Sequence, residues 1–129
     1  MGDISTAGLT ALVAGEDWHN VGDTDEPAFQ GSWANAGGGN PRCAFRIREA
    51  GVVDVHGTVT GDTDGTTIFT LPEGYRPTFL TAVFGIGVDG GGLVPIVLSI
   101  QTGGGVVFGG AGTDASFAGQ FFLVPPGPP

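Results

Sequence analysis

Two acidic turns carry the residues whose types and spacing come nearest to metal chemistry. Residues 22–26 read GDTDE, and residues 61–65 read GDTDG, with Asp62 and Asp64 two positions apart. Ca²⁺ takes about six to eight oxygen ligands, and an EF-hand loop with this Asp-x-Asp-Gly core closes with a glutamate several residues later. Here the closing position falls in TIFTLPE, a run typical of a strand. We therefore favour a hairpin turn, with a weak cation site at Asp62 and Asp64 as the alternative.

The side chains that perform acid–base or nucleophilic catalysis form no recognisable pattern. The two histidines, His19 and His56, are far apart in the sequence, and no serine lies in a G-x-S-x-G elbow. Carboxylate pairs that cleave sugars are defined by their distance in space, and nothing in the sequence singles out one pair. Glycine clusters at 37–39, 90–92 and 103–105 lack the helix and the GK[ST] sequence of a phosphate loop. The sequence predicts no catalytic residue and no cofactor.

The two tryptophans are the candidate ligand contacts. Aromatic faces stack on the apolar faces of sugars, so Trp18 and Trp33, together with Phe29, could form a platform for a surface glycan. The same rings suit a plug that closes one end of a sandwich, and we favour the plug.

These candidates lie on or beside short runs that are typical of β-strands. Runs rich in Val, Ile, Phe and Thr recur about every ten residues between Gly, Asp and Pro, as in an antiparallel sandwich or jelly roll. The gaps are too short for the helical crossovers of a parallel sheet. We predict strands near Asp17–Val21, Ala28–Ala34, Arg42–Glu49, Val52–Thr60, Thr66–Leu71, Phe79–Val88, Leu93–Gln101, Gly105–Phe108 and Ser116–Val124.

Alternation assigns the two faces of the hairpin over residues 42–60. One face is apolar and is predicted to be buried; its residues are Cys43, Phe45, Ile47, Val53, Val55, Gly57 and Val59. The other face is polar and is predicted to be exposed; its residues are Arg46, Arg48, Asp54, His56 and Thr58. An arginine of the first strand should then lie across from Asp54.

The second half of the chain is apolar on both faces of its predicted strands. The runs FLTAVFGIGV at 79–88 and LVPIVLSI at 93–100 are nearly continuous. One face packs inside the sandwich, and we expect another copy of the chain to cover the other. Just before these runs, Tyr75 is expected to pack at the sandwich edge with its hydroxyl in water or bonded to backbone.

Length and charge restrict the organisation and the partners. The 129 residues are the length of one domain, and the net charge is −9, with four arginines and no lysine. Nucleic acid and anionic membranes are therefore poor partners. A single cysteine permits no internal disulfide, no apolar run is long enough to span a membrane, and the start lacks the basic residues of a signal peptide.

We divide the chain into three segments. Residues 1–15 are predicted to be an arm, in which Thr6–Ala14 forms a short helix or an extended stretch. Residues 16–124 are predicted to be the β-sandwich, and residues 125–129 a proline-rich tail.

Three stretches together resemble one known family. They are WHNVG at 18–22 with EPAFQGSW at 26–33, the hairpin containing VHG at 55–57, and IFTLPEGYRP at 68–77. They are similar to the knob domain at the carboxyl end of minor tail and tail-fibre proteins of tailed phages, particularly phages of actinobacteria. The resemblance covers about residues 16–124 and implies a β-sandwich knob that is usually trimeric, displayed on the virion and non-enzymatic. It also implies contact with host-surface glycans, but it carries no set of binding residues.

The resemblance leads to three hypotheses. The first is a shaftless knob of the minor tail or tail-fibre type that aids host attachment, for which a trimer is our first choice. The second is a head decoration or head-fibre protein whose arm docks on a shell protein through four apolar residues, Ile4, Leu9, Leu12 and Val13. The third and weakest is a glycan-active enzyme on a jelly-roll scaffold that uses Asp54 or Asp62. Either virion protein would be made in the host cytoplasm.

Overall fold

The computed structural model describes residues 16–123, and all of its strand pairs are antiparallel. In chain order the strands are β1 (His19–Asn20), β2 (Ala34–Asn35), β3 (Ala44–Arg48), β4 (Val52–Thr60), β5 (Thr67–Thr70), β6 (Thr81–Asp89), β7 (Gly92–Ile100), β8 (Gly105–Gly109) and β9 (Asp114–Phe122). A 3₁₀ turn, Glu49–Gly51, joins β3 to β4, and the described part of the chain contains no α-helix. The predicted all-β antiparallel class is confirmed.

The strands form one sheet that curls until its two ends face each other. The order across the sheet is β1-β3-β4-β9-β6-β7-β8-β5, and β2 pairs with β4 beyond the end of β3. The ring of Phe45 on β3 stacks on that of Phe69 on β5, with 5.8 Å between centroids. Because these strands lie near opposite ends of the order, one face of the sheet encloses the core. The predicted sandwich is thus two halves of a single curled sheet.

The core follows the predicted alternation along β4. Val53, Val55, Gly57 and Val59 are buried, and the residues that alternate with them are half-buried. Phe45 on the neighbouring strand β3 and Cys43 just before it are also buried, whereas Ile47 is half-buried against the same cluster. The remaining fully buried large side chains come from the opposite half and the loops; they are Val21, Ile68, Phe69, Leu71, Leu98, Ile100, Val106 and Phe108.

Two glycines allow the two halves to meet at the β9–β6 corner. Pairing there is short, with Gly85 opposite Phe117 and Ile86 opposite Ser116. A Cβ on Gly85 would lie 2.3 Å from the carbonyl oxygen of Ser116, and one on Gly87 would lie 2.5 Å from that of Asp114. Any side chain at these positions would push the strands apart, so glycine sets the spacing of the corner.

The predicted strand Ala28–Ala34 is wrong. A turn occupies this segment, since Gly31 has φ +59° and the Trp33 N–H donates to the Gln30 carbonyl at 3.2 Å. Only Ala34 of the predicted range belongs to a strand. The predicted strand Asp17–Val21 shortens to His19–Asn20, and the other boundaries shift by no more than two residues.

Some predictions fall outside the described residues. The arm, with Ile4, Leu9, Leu12 and Val13, precedes residue 16, and the proline-rich tail follows residue 123. Within residues 16–123 no helix has the length and apolar character needed to cross a membrane.

We expect the stability of the fold to depend most strongly on the absence of a side chain at Gly57. A Cβ there would lie 2.5 Å from the Cα of Cys43, so Gly57→Val should force β3 away from β4. We expect a loss of about 3 kcal/mol in the free energy of unfolding, measured by urea denaturation. Gly103→Val is the matched control, because a Cβ there meets nothing within 4 Å. Equal stability of the two variants would show that the packing of β3 on β4 is misassigned.

Candidate functional site

The outer face of β3, β4 and β9 carries a row of polar side chains. Asp54 pairs in register with Arg46 on one side and with Gln120 on the other. One oxygen of the Asp54 carboxylate lies 3.4 Å from Arg46 Nε and 3.5 Å from Arg48 Nε. Arg48 also donates to the side-chain oxygen of Gln120. An arginine partner was predicted for Asp54, and both Arg46 and Arg48 fill that role. The side chains of the row therefore hold one another in place.

Trp18 packs onto this row from the chain segment that precedes β1. Its ring centroid lies 4.0 Å from that of His56, and the Arg46 guanidinium carbon lies 4.3 Å from the Trp18 ring centroid. His56 Nδ1 lies 3.1 Å from the Arg42 carbonyl oxygen, which can only accept, so Nδ1 carries the hydrogen. In the neutral ring, Nε2 is then an acceptor. The indole and the imidazole are both held in fixed positions.

A cleft opens beside these two rings. It has a volume of about 270 Å³, and its polar walls are Trp18, Asp54, His56 and Gln120. Ala118 leaves the cleft open because its side chain is small.

The cleft adjoins a larger, open groove of about 720 Å³, with which it shares His56 and Ala118. The groove is lined mainly by apolar groups, among them Pro41, Phe84 and Ile86. Phe84 is 75% exposed, so its ring face is available to a ligand. The combined surface offers hydrogen-bonding groups at one end and an aromatic ring at the other.

The two tryptophans proposed as ligand contacts lie in different environments. Trp33 is buried, donates through Nε1 to Thr66 Oγ1 at 3.0 Å, and meets Phe108 edge-on. Phe29 packs against the same core. These two rings match the favoured plug, and Trp33 presents no ring face to a ligand. Trp18 is not part of the plug and lies on the outer face.

Asp62 and Asp64 both serve as turn residues. Asp62 accepts from the backbone N–H of Ser32 at 3.1 Å and of Thr63 at 2.9 Å, and Asp64 accepts from that of Gly110 at 2.9 Å. Within residues 16–123, no three His, Cys, Asp or Glu side chains are arranged to hold a metal ion. The carboxylates therefore fasten three loops together at one end of the sheet.

The sequence did not predict a second cluster, formed by Glu16, His19, Glu26 and Tyr75. His19 Nδ1 donates to the Glu26 carboxylate at 2.9 Å, and Nε2 lies 3.2 Å from Glu16. The Tyr75 hydroxyl donates to Glu16 at 2.9 Å, so the expectation of a water or backbone partner is wrong. His19 and Tyr75 both lie within the sequence motifs that resemble the phage knob family, and only this shared membership could have indicated the cluster from the sequence.

The cluster shifts the ionisation of three of its members. Burial alone would lower the pKa of His19, but hydrogen bonds to Glu26 and Glu16 outweigh burial and raise it. Burial alone would raise the pKa of Glu16, but bonds from the Ile47 N–H, Tyr75 and His19 lower it. Burial, together with the bond to Glu16, raises the pKa of Tyr75. The two carboxylates therefore favour the protonated form of the imidazole that lies between them.

Comparison with known proteins gives a fold neighbour. No protein-family model matches the chain, and no curated protein matches it significantly. Among solved structures, the chain is similar to the head domain of phage bIL170, described as one of the receptor-binding domains of lactococcal phages. The match has a TM-score of 0.55 and 16% identity, and it covers 84% of this chain and 98% of that one. At this identity the likeness shows a shared fold.

The ionisation of His19 predicts how stability depends on pH. The contribution of the protonated imidazole is complete below its ordinary pKa of 6.5 and is lost as the pH rises through the raised pKa of the folded state. The contribution of ionised Glu16 is complete above 4.5 and is lost as the pH falls through its lowered pKa.

We therefore expect His19→Gln to destabilise the protein most between about pH 5 and 6.5, and progressively less at higher pH. Denaturant unfolding across this range measures the difference from wild type, and His56→Gln controls for the loss of an imidazole elsewhere. A difference that stays constant up to about pH 9 would contradict the proposed charge state of the cluster.

Proposed function

We propose that this chain is a non-enzymatic attachment domain of a phage virion, of the minor tail or tail-fibre type, which binds a saccharide of the host surface. The saccharide site is the continuous outer-face cleft and groove, with Trp18, Asp54, His56 and Gln120 at its polar end. The joining of this polar cleft to an exposed aromatic ring is the observation that carries the proposal. The fold shared with the head domain of phage bIL170 supports the same role.

The lining of the site suits the chemistry of a sugar ring. A pyranose carries hydroxyl groups that donate and accept, and it has an apolar face that stacks on aromatic rings. Asp54 offers a carboxylate and Gln120 an amide from paired positions of β4 and β9, and His56 offers the Nε2 acceptor two residues further along β4. Phe84 offers the aromatic face. Since the polar side chains are already held by neighbours, little conformational entropy is lost when a ligand binds.

The assembly we propose is a homotrimer that covers the apolar outer face of β6 and β7 around Val88 and Leu93 and leaves the ring of Phe84 open to the saccharide. This face exposes Phe84, Ile86 and Val88 on β6 and Leu93 on β7, and Leu93 is 76% exposed. Contiguous exposed apolar patches of this kind mark interaction sites. Asp89 at the tip is the only charged residue on the two strands, so repulsion between acidic copies is small there. Phe84 and Ile86 also line the groove, so the interface borders the saccharide site.

If the cleft and groove bind a host saccharide, Trp18→Ala and Gln120→Ala should each weaken binding to host cells. Truncating a well-packed aromatic contact should raise the Kd by about tenfold or more, and removing the Gln120 amide should have a smaller effect. Binding of labelled protein to host cells and to a glycan array measures both effects. Gln101→Ala is the matched control, since Gln101 is an exposed glutamine outside the groove. No binding by the wild type at high concentration, or equal binding by all variants, would reject the proposal.

The trimer predicts a mass in light scattering of about three times the chain mass of 12.9 kDa. Leu93→Arg places a charge on the β6–β7 face and should yield monomers. Leu80→Arg is the matched control, because Leu80 is 69% exposed and precedes β6. A wild type that is monomeric at micromolar concentration, or a Leu93→Arg variant that stays trimeric, would contradict the proposed interface.

A further inference from the structure

Both ends of the described chain lie at the same end of the curled sheet. The Glu16 N–H donates to the Ile47 carbonyl near the end of β3, at 3.1 Å. The Leu123 N–H donates to the Gly51 carbonyl, just before β4 begins, at 2.9 Å. The segments that precede residue 16 and follow residue 123 therefore start on either side of the turn between β3 and β4.

Three large apolar side chains are exposed at this end. They are Phe79, Leu80 and Phe122, and we call them the exit pole; each is at least 65% exposed. Phe122 is the last residue of β9 and pairs with Val52. The Thr78 hydroxyl donates to the Leu123 carbonyl at 2.9 Å, which brings Phe79 and Leu80 beside the end of β9.

We propose that residues 4–13 of the same chain bind across the exit pole. Residues 4–15 carry no charge, and four of them are large and apolar: Ile4, Leu9, Leu12 and Val13. Burial of such side chains on exposed aromatic rings is favourable by about 25 cal/mol per Å² of apolar area removed from water. The exit pole supplies apolar surface next to the point where this segment joins the described chain.

The dimensions of the sheet allow this segment to reach the exit pole. From the chain beside β3 at Glu16 to Phe122 on β9 is three strand spacings, or about 14 Å. An extended chain advances about 3.3–3.6 Å per residue, so Leu12 reaches about 14 Å from Glu16 and Leu9 about 24 Å. Glu16 is a fixed starting point, because its carboxylate accepts from the Ile47 N–H and the Tyr75 hydroxyl.

The size of the exit pole favours a peptide segment over a second folded copy. A stable interface between folded proteins buries about 1,000 Å² or more, and three side chains supply only part of that area. The apolar area of the exit pole is instead close to what three or four side chains of a single extended segment can cover. The larger apolar face of β6 and β7 is the surface that suits another copy. This inference does not rest on the proposed function, since it concerns only how residues 4–13 are bound.

Cross-linking between two introduced cysteines tests the proposal in the full chain. Ala7→Cys provides one thiol within the segment, and Ala82→Cys provides the second, two residues beyond Leu80. Cys43 does not compete, because it is buried and burial raises the pKa of its thiol to about 12. A short bismaleimide reagent then joins the two introduced thiols. We expect cross-linking within one chain, at a rate independent of protein concentration.

Two controls separate binding from simple tethering. The control pair combines Ala7→Cys with Ala111→Cys. Residue 111 lies at the end of the sheet opposite the exit pole, because the adjacent Gly112 lies against the Val88 carbonyl near the end of β6. This pair should react about tenfold more slowly. Combining Phe79→Ser, Leu80→Ser and Phe122→Ser should slow cross-linking of the first pair several-fold and leave that of the control pair unchanged. Equal rates for both pairs, no effect of the serine variant, or products that join two chains would each overturn the proposal.

Discussion

The alternation of β4 is the constraint on which the rest of the structure depends. Its even-numbered and odd-numbered residues point to opposite faces, and it pairs with β3 and β9 over most of its length. The same nine residues therefore supply Val53 and Val55 to the core and Asp54 and His56 to the outer surface. A shift of one residue in register would bury a carboxylate and expose a valine. Register in β4 thus fixes the core and the candidate binding site together.

The parts of the fold that were predictable are those determined by local pattern. Alternation gave the bounds of β4 and the faces of its neighbour, since a period of two needs no information from distant residues. The strand predicted over residues 28–34 was wrong because the conformation there depends on the Gly31 turn and on burial of the Trp33 ring against Phe108. Composition alone could not separate a buried tryptophan from an exposed one.

The candidate site was predictable only in part, for the same reason. Trp18 was named as a ligand contact, but its partners Gln120 and Phe84 are separated from it by 102 and 66 positions. The Glu16–Tyr75 bond spans 59 positions and depends on how the sheet curls. Such contacts are set by the tertiary fold, which the spacing of residues within a motif does not report. The acidic turn at 61–65, conspicuous in the sequence, proved to fasten loops through its carboxylates.

The close approach of backbone at the β9–β6 corner also sets which positions can change over time. Gly85 lies against the Ser116 carbonyl, so this wall of the groove tolerates no other residue without moving a strand. The contacts of Trp18 and Gln120 are instead with the side chains of Arg46, His56 and Arg48, which can adjust to a substitution. A domain built in this way can alter its binding preference by single substitutions in the lining while the scaffold is retained. Changes in this surface would therefore be concentrated at the side chains that line the cleft and would spare the glycines of the corner.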